Sequence, residues 1–288
     1  MRLTARFPQL QPIAVFVYRA KRCLGWMLGR TAYASVRVHE ELPFRVARHQ
    51  SVLMRKLGNA DMRLQKNKIT NLTLATQQVT KITIRPGETF SLWKLVGHPT
   101  AKKGYVEGLL LSNGEVTSGI GGGLCQMANL LYWMFLHSPL IVTERHHHSF
   151  DAFPDSGRVL PFGTGATLFY NYVDLQCKNP TNHTFQIVLW MTDEHLKGEI
   201  RCDVELPERY HVFEREHAFI FRPEDQKYYR TNKIFRDVNS SKTGALIREE
   251  FVMENFSEMK YELPKGTEIQ IQETVHGDVV RTLLTTKA

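Results

Sequence analysis

Gly119-Ile120-Gly121-Gly122-Gly123-Leu124-Cys125-Gln126 runs straight into Met127 to Leu136, a stretch apolar almost throughout. Four of the six residues ahead of the cysteine are glycine. Glycine lets the backbone take positive φ or come close to a ligand without a Cβ clash. The apolar run is apolar nearly all round, so it predicts a buried helix. His137-Ser138-Pro139 ends it, since proline cannot continue a helix. Cys125 then sits at a helix N-terminus, where the dipole favours a thiolate and a lowered thiol pKa is expected. Free N–H groups of the glycine turn point at the same spot and suit an oxyanion.

A nucleophilic thiol needs a base, and Glu144-Arg145-His146-His147-His148-Ser149 follows. From 126 to 137 a helix travels roughly 18 Å. Residues 140–146 read as a strand that returns roughly 23 Å. The two paths match, so histidines can arrive beside Cys125. Adjacent strand residues alternate faces, so only His146 and His148 would point the same way. Two plainer readings stand beside this one. In one, Cys125 is simply a small residue in a tight turn; in the other, Cys125, His146 and His148 bind a transition metal. The metal lacks a fourth ligand, so no metal and no cofactor are expected.

Outside this centre, Ile69, Leu72, Ala75, Thr76 and Val79 lie at helical spacing. Ile82 and Ile84 read as a short strand that ends at Arg85-Pro86-Gly87. Leu109-Leu110-Leu111, Asn113-Gly114 and Val116 read as a β-hairpin. Residues 31–65 are charged, with weak helical periodicity. Ala166 to Cys177, Phe185 to Trp190 and Glu199 to Val204 alternate as strands. Short strands at Phe219 to Phe221, Tyr228 and Tyr229, and Ile269 and Ile271 are separated by charged turns. The fold class is α+β, with the buried helix after the glycine loop packed on antiparallel strands. Three regions are expected: a basic, partly helical 1–64, a central domain over 65–205, and a β-rich appendage over 206–288.

The 288 residues are 42% hydrophobic, enough for a sizeable core. Net charge is +8. Residues 1–70 hold 14 Lys and Arg against 3 Asp and Glu, and residues 71–288 hold 23 against 26. The basic character therefore belongs to the N-terminal quarter. It suits an anionic membrane surface, with no nucleic acid as partner; the plainer reading is a solvated basic face. Val15, Tyr18, Arg19, Lys21, Arg22 and Trp26 fit a basic amphipathic helix on a membrane or a surface helix packed on the body. Ile13 to Tyr18 is too short for a spanning helix or a signal peptide. The chain reads as cytoplasmic or peripheral to the membrane. Cys177 and Cys202 fall at inward strand positions, where a disulfide between them has little support. No Cys-x-x-Cys spacing suggests zinc.

Several stretches together resemble the VanW family. They are Pro86-Gly87-Glu88-Thr89-Phe90-Ser91, Gly104-Tyr105, Gly121-Gly122-Gly123-Leu124-Cys125-Gln126, Glu144 to Ser149, Ala166-Thr167, Asp174-Leu175 and Lys178-Asn179. The resemblance covers roughly residues 65–195. It implies a link to peptidoglycan and to glycopeptide (vancomycin) resistance, with Cys125 as nucleophile of an L,D-transpeptidase-like acyltransferase. It makes His148 the general base and His146 a second candidate. Arg145 would meet a peptide carboxylate, with Gly121, Gly122, Gly123, Gln126, Ser149 and Tyr105 lining the same substrate site. The implied partner is a peptidoglycan stem peptide or precursor. The alternative is a non-enzymatic accessory protein that binds a cell-wall precursor or a resistance-cluster partner. Where the family carries aspartate in a Gly-x-Asp-Ala-Thr motif, this chain has Gly165, so a triad built on that aspartate is not available. Asp174 and Asp151 are the substitutes within reach in sequence. Crosslinking also calls for an enzyme outside the cytoplasm, and no export signal is visible.

Overall fold

A computed structural model describes residues 8–54, 62–112, 115–147, 150–151, 154, 159–263, 266–275 and 278–285. Among these, the helices are α1 (Gln11–Leu28), α2 (Met62–Val79), α3 (Leu92–Val96) and α4 (Cys125–Leu136). A first antiparallel sheet joins β1 (Phe44–Val52), β2 (Ile82–Ile84), β9 (Phe185–Met191) and β10 (His195–Cys202) in the order β1-β10-β9-β2. A second joins β3 (Thr89–Ser91), β6 (Ile141–Glu144) and β8 (Gln176–Lys178), with β8 in the middle. The hairpin of β4 (Glu107–Ser112) and β5 (Glu115–Ile120) stands apart and pairs Leu111 with Val116.

The last sheet is the largest. It combines β7 (Phe150–Asp151), β11 (Glu208–Arg222), β12 (Lys227–Ser240), β13 (Leu246–Met259), β14 (Glu268–Val275) and β15 (Asp278–Thr285). Its order is β15-β14-β11-β12-β13-β7, antiparallel except for β11 with β14 and β13 with β7. The architecture is mixed α+β.

The core is organised on α4. Met127, Ala128, Leu130, Leu131, Tyr132, Met134, Phe135 and Leu136 are all buried there. Each large side chain so buried contributes roughly 1.5–3 kcal/mol. The helix rests on β1 and β10, and Phe135 meets Phe90 of β3 edge-on at 5.4 Å. Its C-terminal carbonyls are satisfied from the large sheet. Arg236 Nη1 donates to Leu136 O at 3.2 Å and to Ser138 O at 3.1 Å. A cation at that end also suits the helix dipole. Val212 and Ile234 of the large sheet belong to the same apolar cluster as α4.

Four local expectations change. Residues 44–52 form strand β1, not helix, and pair with β10 from Phe44–Cys202 to Val52–His195. Within 166–177 only Gln176 and Cys177 are in a strand, and the single bridge Phe169–Val173 closes the intervening loop on itself. Leu168, Tyr170 and Tyr172 alternate as a strand would, but they fold back in a loop. The returning strand ends at Glu144, so Arg145, His146 and His147 lie beyond it and do not obey strand alternation. The strands after residue 206 are long, with β11 spanning 15 residues. Cys177 and Cys202 are buried and free. No helix among the described residues is long and apolar enough to cross a membrane.

Candidate functional site

The glycine turn is set by close packing. A Cβ on Gly122 would collide with the backbone of Gly108. Gly123 has φ of +92°, and a Cβ there would strike the side-chain stem of Lys68. Both positions are closed to other residues by contact alone. Asn71, fully buried in α2, pins the turn. Its Nδ2 donates to Gly122 O at 2.9 Å and Val106 O at 3.0 Å, and its Oδ1 accepts from Val106 N at 2.9 Å. Gly121 N in turn donates to Val106 O.

Cys125 is the first residue of α4. No side chain caps this helix, and its first turn contains no acidic residue. The N–H groups of Gly121 and Gly122 are taken by Val106 O and Gly119 O. Among the described residues, no backbone carbonyl takes the N–H of Gly123, Leu124 or Cys125. An uncapped helix start beside a thiol favours a negative charge.

The second wall is the 163–168 loop. Ala166 N donates to Asn129 Oδ1 at 2.6 Å, one turn of α4 below Cys125. Thr167 N donates to His146 O at 2.7 Å. A backbone hydrogen bond from Leu168 reaches the Cys125 thiol. Arg145 fastens the loop from the other side. Its Nε donates to Gly165 O at 2.8 Å and its Nη2 to Gly163 O. Its guanidinium lies over the Tyr132 ring at 4.9 Å. The structure thus brings the glycine turn and the Ala166–Leu168 stretch together at the start of α4, while Arg145 sits further along the helix, over Tyr132.

The electrostatics run against the sequence expectation. Cys125 is half-buried as a residue, yet its sulfur is enclosed. Burial raises the thiol pKa, and the backbone hydrogen bonds from Leu168 and from Cys125 itself only offset this. The resting group is a thiol. Desolvation, which disfavours the charged form, outweighs the backbone hydrogen bonds to the sulfur.

His146 Nε2 lies 3.3 Å from Glu144 Oε1, and no hydrogen bond joins a histidine to Cys125 among the described residues. His147 is exposed, and burial of its ring, then Arg145 and His146, lower its pKa. His148 and Ser149 lie outside the described residues. Gln126 faces β1: its Nε2 donates to Ser51 Oγ and Val52 O, both at 2.8 Å, and its Oε1 is buried without a partner. Tyr105 is 4% exposed and sits in the apolar core. The Arg145 fork is turned inward onto the loop. Among the described residues, no three His, Cys, Asp or Glu side chains are grouped to hold a metal.

Gly165 packs against α4: a Cβ there would stand 3.2 Å from Asn129 Oδ1. Of the acids proposed as substitutes, Asp174 is bound to Ser91 Oγ at 2.6 Å and Trp93 N at 3.0 Å. Asp151 pairs with Arg230 at 3.4 Å and accepts from Tyr261 at 2.8 Å. Each therefore serves a buried polar cluster of its own. Sequence reasoning missed Asn71 and Asn129. The available signal was an asparagine at a position of the helical period shared with apolar residues, since a buried amide must find a partner.

Residues 67–201 match the family model described as VanW like protein. The chain is 32% identical over 269 residues to the Vancomycin B-type resistance protein VanW of Enterococcus faecalis (strain ATCC 700802 / V583), covering 93% of this chain and 97% of that one. It is 29% identical over 122 residues to the uncharacterized protein YoaR of Bacillus subtilis (strain 168), covering 42% of this chain and 39% of that protein. No solved structure gives a significant match.

Proposed function

Because the chain belongs to the VanW family, we propose that it serves glycopeptide resistance as a cysteine-dependent acyltransferase of the L,D-transpeptidase type on peptidoglycan stem peptides. The relative from E. faecalis is named for B-type vancomycin resistance. The observation that carries the chemistry is the convergence of the glycine turn and the 163–168 loop on Cys125 at an uncapped helix start. Sγ attacks the donor carbonyl carbon. The N–H groups of Gly123, Leu124 and Cys125 receive the oxyanion. The thiol proton passes through a base to the leaving amine, leaving a thioester on Cys125. An acceptor amine then displaces the thioester, and the proton returns to sulfur. Because the resting group is a thiol, attack requires that base. The Glu144–Ser149 motif supplies it, with His148 first and His146 second.

A raised thiol pKa specifically favours a second reading. In it the protein binds a cell-wall precursor without chemistry, and Cys125 is a packing residue. Purified protein with donor and acceptor stem peptides separates the two. The proposal expects crosslinked product that Cys125→Ala abolishes. Peptide binding that survives Cys125→Ala, with no product from either protein, supports the second reading. Product formed equally by Cys125→Ala contradicts the proposal.

A further inference from the structure

Helix α1 is amphipathic, but its polar side is the one packed on the body. Arg22 makes a two-pronged ion pair with Glu144, at 2.8 and 2.6 Å, and donates to Tyr172 O at 3.1 Å. Arg19 Nε donates to Tyr170 O at 2.8 Å. Trp26 packs against the core cluster. These were the residues that sequence alone offered to a membrane.

The opposite side carries Ile13, Phe16, Val17, Leu24, Met27 and Leu28. They are 61%, 71%, 54%, 51%, 71% and 79% exposed. At 100° per residue they fall within an arc of roughly 120°. No residue of the helix is buried, and none is acidic. Lys21, exposed, borders this apolar arc, and Arg30, also exposed, follows the end of the helix. With Arg19 and Arg22 held by the body, the helix cannot roll to hide its apolar side without breaking the Glu144 ion pair.

We propose that this face docks in the interfacial layer of an anionic lipid bilayer. The charge distribution selects that occupant. Residues 1–39, which include this helix, hold seven Lys and Arg and no Asp or Glu, whereas residues 71–288 carry a slight acidic excess. A basic surround with an apolar stripe suits a negatively charged surface that has an apolar interior. The helix lies on the membrane and does not cross it. Glu144, which Arg22 grips, belongs to the segment that runs into Arg145 and His146. Docking therefore holds that segment on the order of 10 Å from the lipid, one helix diameter away. The inference stands whether or not Cys125 performs chemistry.

Co-sedimentation of the full chain with vesicles tests it, using phosphatidylcholine alone and phosphatidylcholine mixed with phosphatidylglycerol. The protein should sediment with the anionic vesicles. The double variant Phe16→Gln, Met27→Gln should lose roughly tenfold or more of that binding and keep the same far-ultraviolet circular dichroism. If the double variant does not fold, Phe16→Trp serves instead, with an added blue-shifted emission on anionic vesicles as the expected result. Protein left in solution with both vesicle types overturns the proposal. So does unchanged binding by the double variant, or no added emission change from Phe16→Trp. A soluble dimer that the double variant converts to monomer, without vesicle binding, would assign the face to a second copy of the chain.

Discussion

The amide of Ala166 donates to Asn129 Oδ1 at 2.6 Å, and this bond fixes the 163–168 loop beside Cys125. Cys125 and Asn129 are four residues apart on α4 and so share one helix face. Asn129→Ala strands the Ala166 N–H and should cost roughly 1–3 kcal/mol, read as a lower midpoint in thermal unfolding. Loosening the loop also uncovers the thiol, so Cys125 should alkylate faster in this variant. Unchanged stability together with an unchanged alkylation rate would remove the loop from the site.

The four cysteines should rank by environment. Cys23 is exposed and Cys177 and Cys202 are buried. Burial pushes the Cys202 thiol up to about 11 and holds the Cys177 thiol well above the ordinary value. In folded protein Cys23 should alkylate first. Cys125 should follow slowly, with a pH midpoint above that of an ordinary thiol, because only the thiolate reacts. Peptide mapping after timed iodoacetamide treatment measures this. A Cys125 that reacts fastest near neutral pH would show a lowered pKa and contradict the burial effect.

Asp174 gives a pH signature separate from the thiol. Burial pushes its carboxyl up to about 6. Hydrogen bonds from Ser91, Trp93 and Gln176 pull it down, and Glu144 adds to the rise. The folded state therefore holds this proton more tightly than the unfolded chain, where the value is about 4. Its favourable contribution is complete below pH 4 and is lost as the pH climbs to about 6, on the order of 3 kcal/mol in total. Denaturant unfolding of the wild type against Asp174→Asn across that window should show the wild type losing ground as pH rises. Parallel profiles would contradict the assignment.

Much of this was legible in the chain because it rests on local pattern. The continuous apolar run of α4, the spacing from Ile69 to Val79 and the hairpin that pairs Leu111 with Val116 each carry a local signal; the Asn113-Gly114 turn itself lies outside the described residues. The helix at residues 11–28 was legible as an amphipathic helix, but not which side would meet the body. That depends on Glu144, more than a hundred positions away. β1 was hidden because an edge strand rich in Arg, His and Gln has little apolar alternation. The loop at 166–175 was misread because Leu168, Tyr170 and Tyr172 alternate, while the carbonyls of Tyr170 and Tyr172 accept from Arg19 and Arg22 of α1 and not from a neighbouring strand. The raised thiol pKa was invisible because burial of Cys125 is set by Leu168 and the loop that Arg145 holds. A helix-terminus argument alone sees the dipole and misses the desolvation.

Acylation of the thiol is the central claim, and intact-protein mass spectrometry addresses it directly. Full-length protein incubated with a donor stem peptide and no acceptor should gain the mass of the acyl fragment. Peptide mapping should place it on Cys125, and hydroxylamine should release it as expected of a thioester. A protein whose mass stays unchanged while the donor peptide is turned over, or an adduct carried by a residue other than Cys125, would contradict the account.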